Sequence, residues 1–313
     1  MQAIILKHFG GIDQLEYAQL PLPVLKPGEV LVKVHAFSIN PVDAKTRKGK
    51  GQAERLRNDP PMILGWDISG VIADSGDSGE YEVGDAVFGM INIPGHGKAY
   101  AEYVAARTDH ITRKPAAISH AAAAGACLAA MTAYQAIVDQ AKLRPRQRIL
   151  IHAASGGVGH FAVQIAKTMN SYVIGTSSLP NRDFVLSLGA DEHIDYNAAP
   201  LEKQTSEVDV VIDAIGGDNI QSSLRVLKKG GTIVSLPSGI SESVGQQAAA
   251  QDKHGIFFFV KSNASDMQKI AELMQAHLLT THISEMFDFK DIARAHEQIE
   301  SGRTIGKIVV ILQ

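Results

Sequence analysis

The first third of the chain reads as short apolar runs broken by turns. Val30–Ala36 follows the turn Lys26-Pro27-Gly28-Glu29. Gly70–Asp74 and Asp85–Gly89 are separated by the turn-rich segment Ser75–Gly84, and Tyr100–Val104 follows the loop Asn92–Lys98. Runs of this length between Gly and Pro clusters predict an antiparallel β domain over residues 1–113. The pattern changes near Ser119. Ala121–Ala126 and Leu128–Gln140 read as Ala-rich helices, and strands and helices then alternate: 149–153, 159–168, 172–176, 182–188. Val208–Asp213, Gly231–Leu236 and Ile256–Val260 are further strands, followed by a helix at Asp266–Gln275. Such alternation predicts a parallel sheet with helices on both faces, here over residues 114–284. The last strand, Lys307–Ile311, is expected to return residues 285–313 to the first domain. The fold class is α/β, with no internal repeat and no low-complexity segment.

Composition narrows the function classes. A chain of 313 residues fits about two domains. Hydrophobic content of 45% and charged content of 20% are those of an ordinary globular protein. A net charge of −3 gives no hint of nucleic acid or an anionic membrane as a partner. The single cysteine, Cys127, excludes internal disulfides and multi-cysteine metal sites. The twelve histidines are dispersed, with no pair at metal-ligand spacing. The N-terminal apolar run is too short for a signal peptide, and no apolar stretch approaches a membrane span. A cytoplasmic location is the expectation.

The candidate chemistry starts at Ile149–Gly159: an apolar strand, a glycine turn, and a helix running on through His160–Lys167. A glycine turn that opens a helix leaves backbone N–H groups free to receive a pyrophosphate. The motif is a variant of GxGxxG, with Ala154 in place of the first glycine, then Gly156 and Gly159. Ser155, Gly156, Gly157, Val158 and Gly159 form the expected cradle. The strand before, the amphipathic helix after and the next strand at Tyr172–Thr176 give the motif its βαβ context. A plain αβ turn without a ligand is the bland alternative.

The end of that next strand reports on the cofactor. Roughly 20 residues past the glycines, a site for NAD usually has an acidic residue for the ribose. This chain has Thr176, Ser177 and Ser178, then Asn181 and Arg182. Hydroxyls and one cation suit a 2′-phosphate, so NADPH is expected. The same stretch also serves as turn and N-cap for the helix after it. Ile215 and Gly216 follow the strand Val208–Asp213 at its carboxyl end, where cofactor contacts fall in such sheets.

Five segments carry a family resemblance over the whole length. They are Ile39–Lys45 (INPVDAK), Leu64–Val71 (LGWDISGV), Met131–Ala136 (MTAYQA), the glycine turn, and Ser187–Tyr196 (SLGADEHIDY). They resemble the medium-chain dehydrogenase/reductase superfamily, in its zinc-free quinone oxidoreductase (zeta-crystallin-like) and enone/alkenal reductase branch. The resemblance implies a GroES-like β domain and a Rossmann domain, with the active site in the cleft between them. Zinc-dependent relatives have Cys where Asn40 stands, Gly-His-Glu where Gly65-Trp66-Asp67 stands, and a third ligand at or beside Leu128. A catalytic zinc needs about three protein ligands, so no metal is expected.

Without a metal, the resemblance implies hydride transfer to an acceptor that is already electrophilic: a quinone, or the β-carbon of an α,β-unsaturated carbonyl. Lys45 is the expected donor to the oxygen that becomes negative; otherwise it is a solvated lysine in a basic stretch. Asn40 is expected near nicotinamide or substrate, or else in turn chemistry before Pro41. Asp43 either orients Lys45 or caps local structure. Trp66 and Met90 either line the pocket for a flat acceptor or belong to the core. Thr132 is expected near the nicotinamide ribose and Tyr196 near the adenosine. Leu236, Phe259 and Val260 are expected to approach the nicotinamide through backbone atoms. Relatives often carry Lys where Pro180 stands, which leaves Arg182 as the substitute. A homodimer through the Rossmann sheet edge is implied. Three functions compete: a quinone reductase, an enone or alkenal reductase, and a non-catalytic NADPH-binding protein with a structural or regulatory role.

Overall fold

The computed structural model describes residues 1–312. It divides into two compact units: Met1–Met131 together with the described residues from Lys261 on, and Thr132–Val260. Both boundaries differ from the sequence expectation of 113/114 and 284/285. The reason is packing. The two Ala-rich stretches form one continuous helix, His120–Tyr134, whose Ala121 and Ala124 lie against Ala36 and Val309 of the β unit. Gly125 permits the close approach. A Cβ there would stand 2.7 Å from Thr281 Cγ2 and 3.7 Å from Lys307 Cβ. Likewise the helix Ala264–Gln275 is tied to the β unit, through Thr112 Oγ1 donating to Gln268. The helix His120–Tyr134 runs on as π-helical turns at Gln135–Gln140. Against expectation, His120–Gln140 is long and apolar enough to cross a membrane by length and composition. But 72% of its most apolar stretch is buried, the signature of a core helix.

The first unit is built on a seven-stranded sheet. Its central strand, Glu29–Ile39, pairs antiparallel with Asp67–Asp74, with Tyr103–Arg107 and with Lys307–Ile311. Ala86–Met90 and Thr112–Arg113 extend it on one side. On the other side Ile283–Asp288 pairs parallel with Lys307–Ile311, and helix Ile292–Glu300 makes the crossover. That pair departs from the all-antiparallel expectation, because a parallel partner requires a crossover rather than a hairpin. Two registers gather polar residues at one end of the sheet. Ser38 stands opposite Asp67, and Ile308 stands opposite Ile39, which puts Lys307 beside Asn40.

The second unit is a six-stranded sheet, all parallel. Numbered within the unit, its strands lie in the order 3-2-1-4-5-6: Glu192–Asp195, Tyr172–Ser177, Arg148–Ile151, Val208–Asp213, Leu227–Ser235, His254–Phe257. This is the doubly wound order in which ligands bind outside the carboxyl ends of the strands, where the order reverses. Here that point lies between Arg148–Ile151 and Val208–Asp213. One core cluster of this sheet joins Leu150, Ile174, Val211 and Ile233 to Ile220 and Leu224 of helix Asn219–Val226.

Candidate active site

In the β unit the helix Pro41–Arg47 is fixed at both ends. Asn40 is its N-cap, in extended backbone conformation, and Pro41 opens the helix without wasting an N–H. The Asp43 carboxyl accepts the backbone N–H of Asn40 at 2.6 Å. At the other end Arg47, almost completely buried, donates to Glu300, and Lys48 pairs with the same carboxylate at 2.9 Å. Lys45 lies between these anchors, half-buried. Its side chain makes no hydrogen bond or ion pair among the described residues.

Beneath the helix N-terminus lies a polar cluster with no access to solvent. Alternation along Glu29–Ile39 puts Ser38 and Asn40 on one face, and the strand registers bring Asp67 and Lys307 to that face. Lys307 Nζ donates to Asn40 Oδ1, and also lies 3.4 Å from the Ile39 carbonyl. Asn40 Nδ2 donates to Asp67 Oδ2 at 2.8 Å. Ser38 Oγ donates to the same oxygen at 2.5 Å, and the Leu128 backbone N–H donates to Asp67 Oδ1 at 2.8 Å. Lys307 is 3% exposed, Asn40 1% and Asp67 0%. Burial lowers the Lys307 pKa and raises that of Asp67, and each charge opposes the shift of the other. The three donors on Asp67 favour its ionised form.

Asp43, also completely buried, differs. Burial pushes its carboxyl up to about 8. The Asn40 N–H opposes this, Asp67 adds to it, and Lys307 offsets it. Its Oδ1 has no hydrogen-bond partner. The Tyr100 hydroxyl also opposes the rise, and on balance burial favours the protonated cap.

This donor set does not fit a zinc ion. It offers one amide, one carboxylate and an ammonium that repels a cation. Cys127, the nearby thiol, has its pKa raised well above the usual value by burial and sits 3.3 Å from the Ala123 carbonyl. Among the described residues no group of three or more His, Cys, Asp or Glu could hold a metal.

In the parallel-sheet unit the glycine turn opens helix Gly157–Thr168. Gly156 is its N-cap, and no side chain caps it. The turn is tight: a Cβ on Gly159 would stand 2.1 Å from the Ala153 carbonyl, so that position admits only glycine. The first N–H groups of a twelve-residue helix thus face outward at the carboxyl end of the first strand, as an anion site requires. These residues fit a dinucleotide pyrophosphate. Asn181 Nδ2 donates to Ser155 Oγ at 3.2 Å and reaches Ser178 Oγ at 3.4 Å, which brings three of the expected cofactor residues together. Arg182 and Tyr196 are exposed nearby in the chain, with Arg182 Nη1 3.9 Å from Asp183. Asp213 holds the loop after the fourth strand. It accepts the N–H groups of Ile215 and Gly216 at 3.0 and 3.1 Å, and Ser235 Oγ at 2.8 Å. Gly216 has φ +73°, and a Cβ there would meet Ser241 Oγ at 2.8 Å. Leu236 N–H donates to the Asp213 carbonyl at 2.9 Å. Phe259 is half-buried, while Val260 and Thr132 are buried.

Several expectations change in the folded chain. Asn40 spends both ends of its amide on Lys307 and Asp67, so it is a bridge and does not present itself to a ligand. Asp43 caps the helix rather than orienting Lys45. Trp66 and Met90 are fully buried, and Trp66 Nε1 donates to the Gly95 carbonyl at 2.9 Å, so both are core. Thr176 and Ser177 turn inward: Thr176 Oγ1 lies 3.1 Å from His152 Nδ1, and Ser177 Oγ 2.8 Å from His193 Nε2. The 2′-phosphate expectation thus rests on Ser178, Asn181 and Arg182. His152 was not anticipated. Its Nε2 lies 2.9 Å from Ser223 Oγ, so the ring bridges Thr176 and Ser223. Burial lowers its pKa to about 4 and keeps it neutral. Lys307 was also missed. The only sequence signal was a charged residue opening an otherwise apolar strand, KIVVI.

Comparison with known proteins gives the family and the fold. Residues 26–116 match the family model of the alcohol dehydrogenase GroES-like domain, and residues 188–310 that of zinc-binding dehydrogenases. The chain is 32% identical to the mitochondrial NAD(P)H oxidoreductase RTN4IP1 of Danio rerio, covering 99% of this chain and 91% of that protein. It is 31% identical to the chloroplastic NADPH-dependent alkenal/one oxidoreductase of Arabidopsis thaliana, covering 99% and 79%. The solved structure of the quinone oxidoreductase from Coxiella burnetii superimposes with a TM-score of 0.95 at 36% identity, covering 100% and 99%.

The buried cap gives a pH prediction. A carboxyl whose folded pKa is about 8, against an ordinary 3.8, keeps its proton where the unfolded chain has lost it. Its contribution to stability is complete below about pH 4 and is lost as pH rises through 8. Asp43→Asn keeps an acceptor for the Asn40 N–H and has no charge to bury. The wild-type Tm should fall by roughly 3–6 °C between pH 6 and 9 relative to the variant. Parallel Tm curves for the two proteins across that range would show that Asp43 does not titrate there.

Proposed function

We propose a hydride-transfer reaction from one premise: the chain belongs to the medium-chain dehydrogenase/reductase superfamily, in its quinone oxidoreductase branch. It is an oxidoreductase of that family. In our reading it uses NADPH, needs no zinc, and reduces quinones or the carbon–carbon double bond of α,β-unsaturated carbonyls. The observation that carries this reading is the uncapped helix N-terminus at Gly156–Gly159, beside a second strand that ends without a carboxylate. Backbone N–H groups there take the pyrophosphate. Ser178, Asn181 and Arg182 take the 2′-phosphate, and Tyr196 the adenosine. The pinned loop at Ile215 and Gly216, with Leu236, Phe259 and Val260, guides the nicotinamide end, and Thr132 its ribose.

When bound, NADPH supplies the hydride. The chain's own part is to hold the acceptor's oxygen as charge develops on it. Lys45 serves that step: a half-buried ammonium, with no other partner among the described residues, on a helix fixed at both ends. Hydride and one proton convert a quinone to a hydroquinone, or an enone to the saturated ketone. The enone reading is the specific second one. It is favoured by the same Lys45 ammonium, which suits an enolate oxygen, and by the likeness to the Arabidopsis alkenal/one oxidoreductase. Zinc independence is supported by the Lys307 ammonium, which stands within the cluster at the ligand-equivalent positions.

The reading is tested by following NADPH oxidation anaerobically with a naphthoquinone and with a simple enone, NADH serving as control. Turnover with at least one acceptor, unaffected by chelator, is expected; tight NADPH binding without turnover of either would replace it with a binding role. Lys45→Ala should lower kcat by about 10- to 100-fold, the range of one lost oxyanion donor or less, with the NADPH Kd changed less than twofold. An unchanged kcat would remove Lys45 from the chemistry. Arg182→Ala should weaken NADPH by about tenfold, as for one charge-assisted contact, and leave NADH unchanged. Equal losses for the two cofactors would take Arg182 out of the 2′-phosphate site.

A further inference from the structure

Lys307 is a buried cation in the β unit. An ammonium that is 3% exposed has given up its hydration, a penalty of several kcal/mol unless a partner repays it. Its counter-charge, Asp67, is not in direct contact. The Asn40 amide stands between them, accepting from Lys307 through Oδ1 and donating to Asp67 through Nδ2. An amide can satisfy both ions in one orientation only. Flipped by 180°, it would point NH2 at an ammonium and a carbonyl oxygen at a carboxylate. The two charges therefore lock the Asn40 side chain against rotation. They also lock its backbone, since Asn40 is the N-cap from which helix Pro41–Arg47 departs.

We propose that Lys307 is a positioning residue: through the amide of Asn40 and the counter-charge of Asp67 it sets the direction of helix Pro41–Arg47 and thereby the place of Lys45. The inference rests on the reading of Lys45 as the donor to the acceptor's oxygen. Three features support a role beyond packing. An apolar residue at the start of strand Lys307–Ile311 would fill the space without any desolvation cost, and buried ion pairs are often replaceable that way with no loss of stability. Ser38 and the Leu128 N–H converge on the Asp67 carboxylate, and Lys307 donates to the Asn40 side chain as well as reaching the Ile39 carbonyl. Finally, Gly125 keeps the neighbouring helix close enough to seal this cluster, with a hypothetical Cβ only 3.7 Å from Lys307 Cβ. The cluster is thus a dry electrostatic lock and does not reach a ligand itself.

The test uses the full chain and two variants. Lys307→Met alone leaves Asp67 without its counter-charge, so it can fail by misfolding. Lys307→Met with Asp67→Asn removes both charges, keeps similar volumes and restores a neutral cluster. The double variant should melt within a few degrees of wild type and bind NADPH with an unchanged Kd, because the dinucleotide cradle is in the other unit. Its kcat with the better of the naphthoquinone and the enone should fall at least tenfold, with KM changed less than threefold. A second readout does not depend on turnover. After reductive methylation with 13C-formaldehyde, the Lys45 methyl signal, identified by its loss in Lys45→Arg, should move in the double variant, while that of Lys7 should stay. A folded double variant with wild-type kcat and an unmoved Lys45 signal would overturn the proposal. If wild type reduces neither acceptor, the function reading fails instead, and the methyl signal still decides whether Lys307 positions Lys45.

Discussion

The β unit depends on one constraint: an ammonium and a carboxylate, both buried, must be reconciled through a single amide. Lys307 and Asp67 come from strands far apart in sequence, and Asn40 joins them at the end of the strand that lies between. Breaking any one member leaves an uncompensated charge or an unsatisfied polar group in a medium that solvates neither. The surroundings conform to this. Ser38 and the Leu128 N–H complete the coordination of Asp67, and small residues on helix His120–Tyr134 let it close over the cluster. The helix after Asn40 inherits its direction from the lock and is pinned again at Arg47 by Glu300. Lys45 is thereby carried on a short helix held at both ends.

The parallel-sheet unit solves a different problem with backbone rather than side-chain charge. Its helix start is left open by omission: no side chain caps helix Gly157–Thr168, and no Cβ can be tolerated at Gly159. Around it, buried hydroxyls and carboxylates are used to hold loops still. Asp213 collects the N–H groups of the Ile215–Gly216 turn, and a neutral His152 ties the second strand to helix Asn219–Val226. Groups that look like ligands in a linear sequence are often spent in this way. Thr176 and Ser177 are examples, since their hydroxyls satisfy histidines within the fold.

The family match includes a domain whose name refers to zinc. In this chain the buried cluster of Asn40 and Asp67 contains the Lys307 ammonium. The proteins that the chain resembles include a quinone oxidoreductase and an alkenal/one oxidoreductase.

The sequence alone determined the fold class and the parallel sheet, and it located the glycine turn that opens helix Gly157–Thr168. These are local: hydrophobic periodicity sets strands and helices, and a tight turn between a strand and a helix is written in its glycines. It also placed Lys45 on a short segment after Asn40-Pro41, and it matched this chain to its family through five contiguous motifs. It could not tell which polar residues face a ligand and which are consumed inside. Asn40, Asp43, Thr176 and Ser177 all carried suitable chemistry, and only the tertiary contacts showed it already committed. Nor could it find Lys307, because the partner that explains a buried lysine lies 267 positions away, on another strand. The boundaries between units shifted for the same reason. Which sheet an Ala-rich helix packs against is decided by the shape of the surface it meets, and that surface exists only once distant strands have been brought into register.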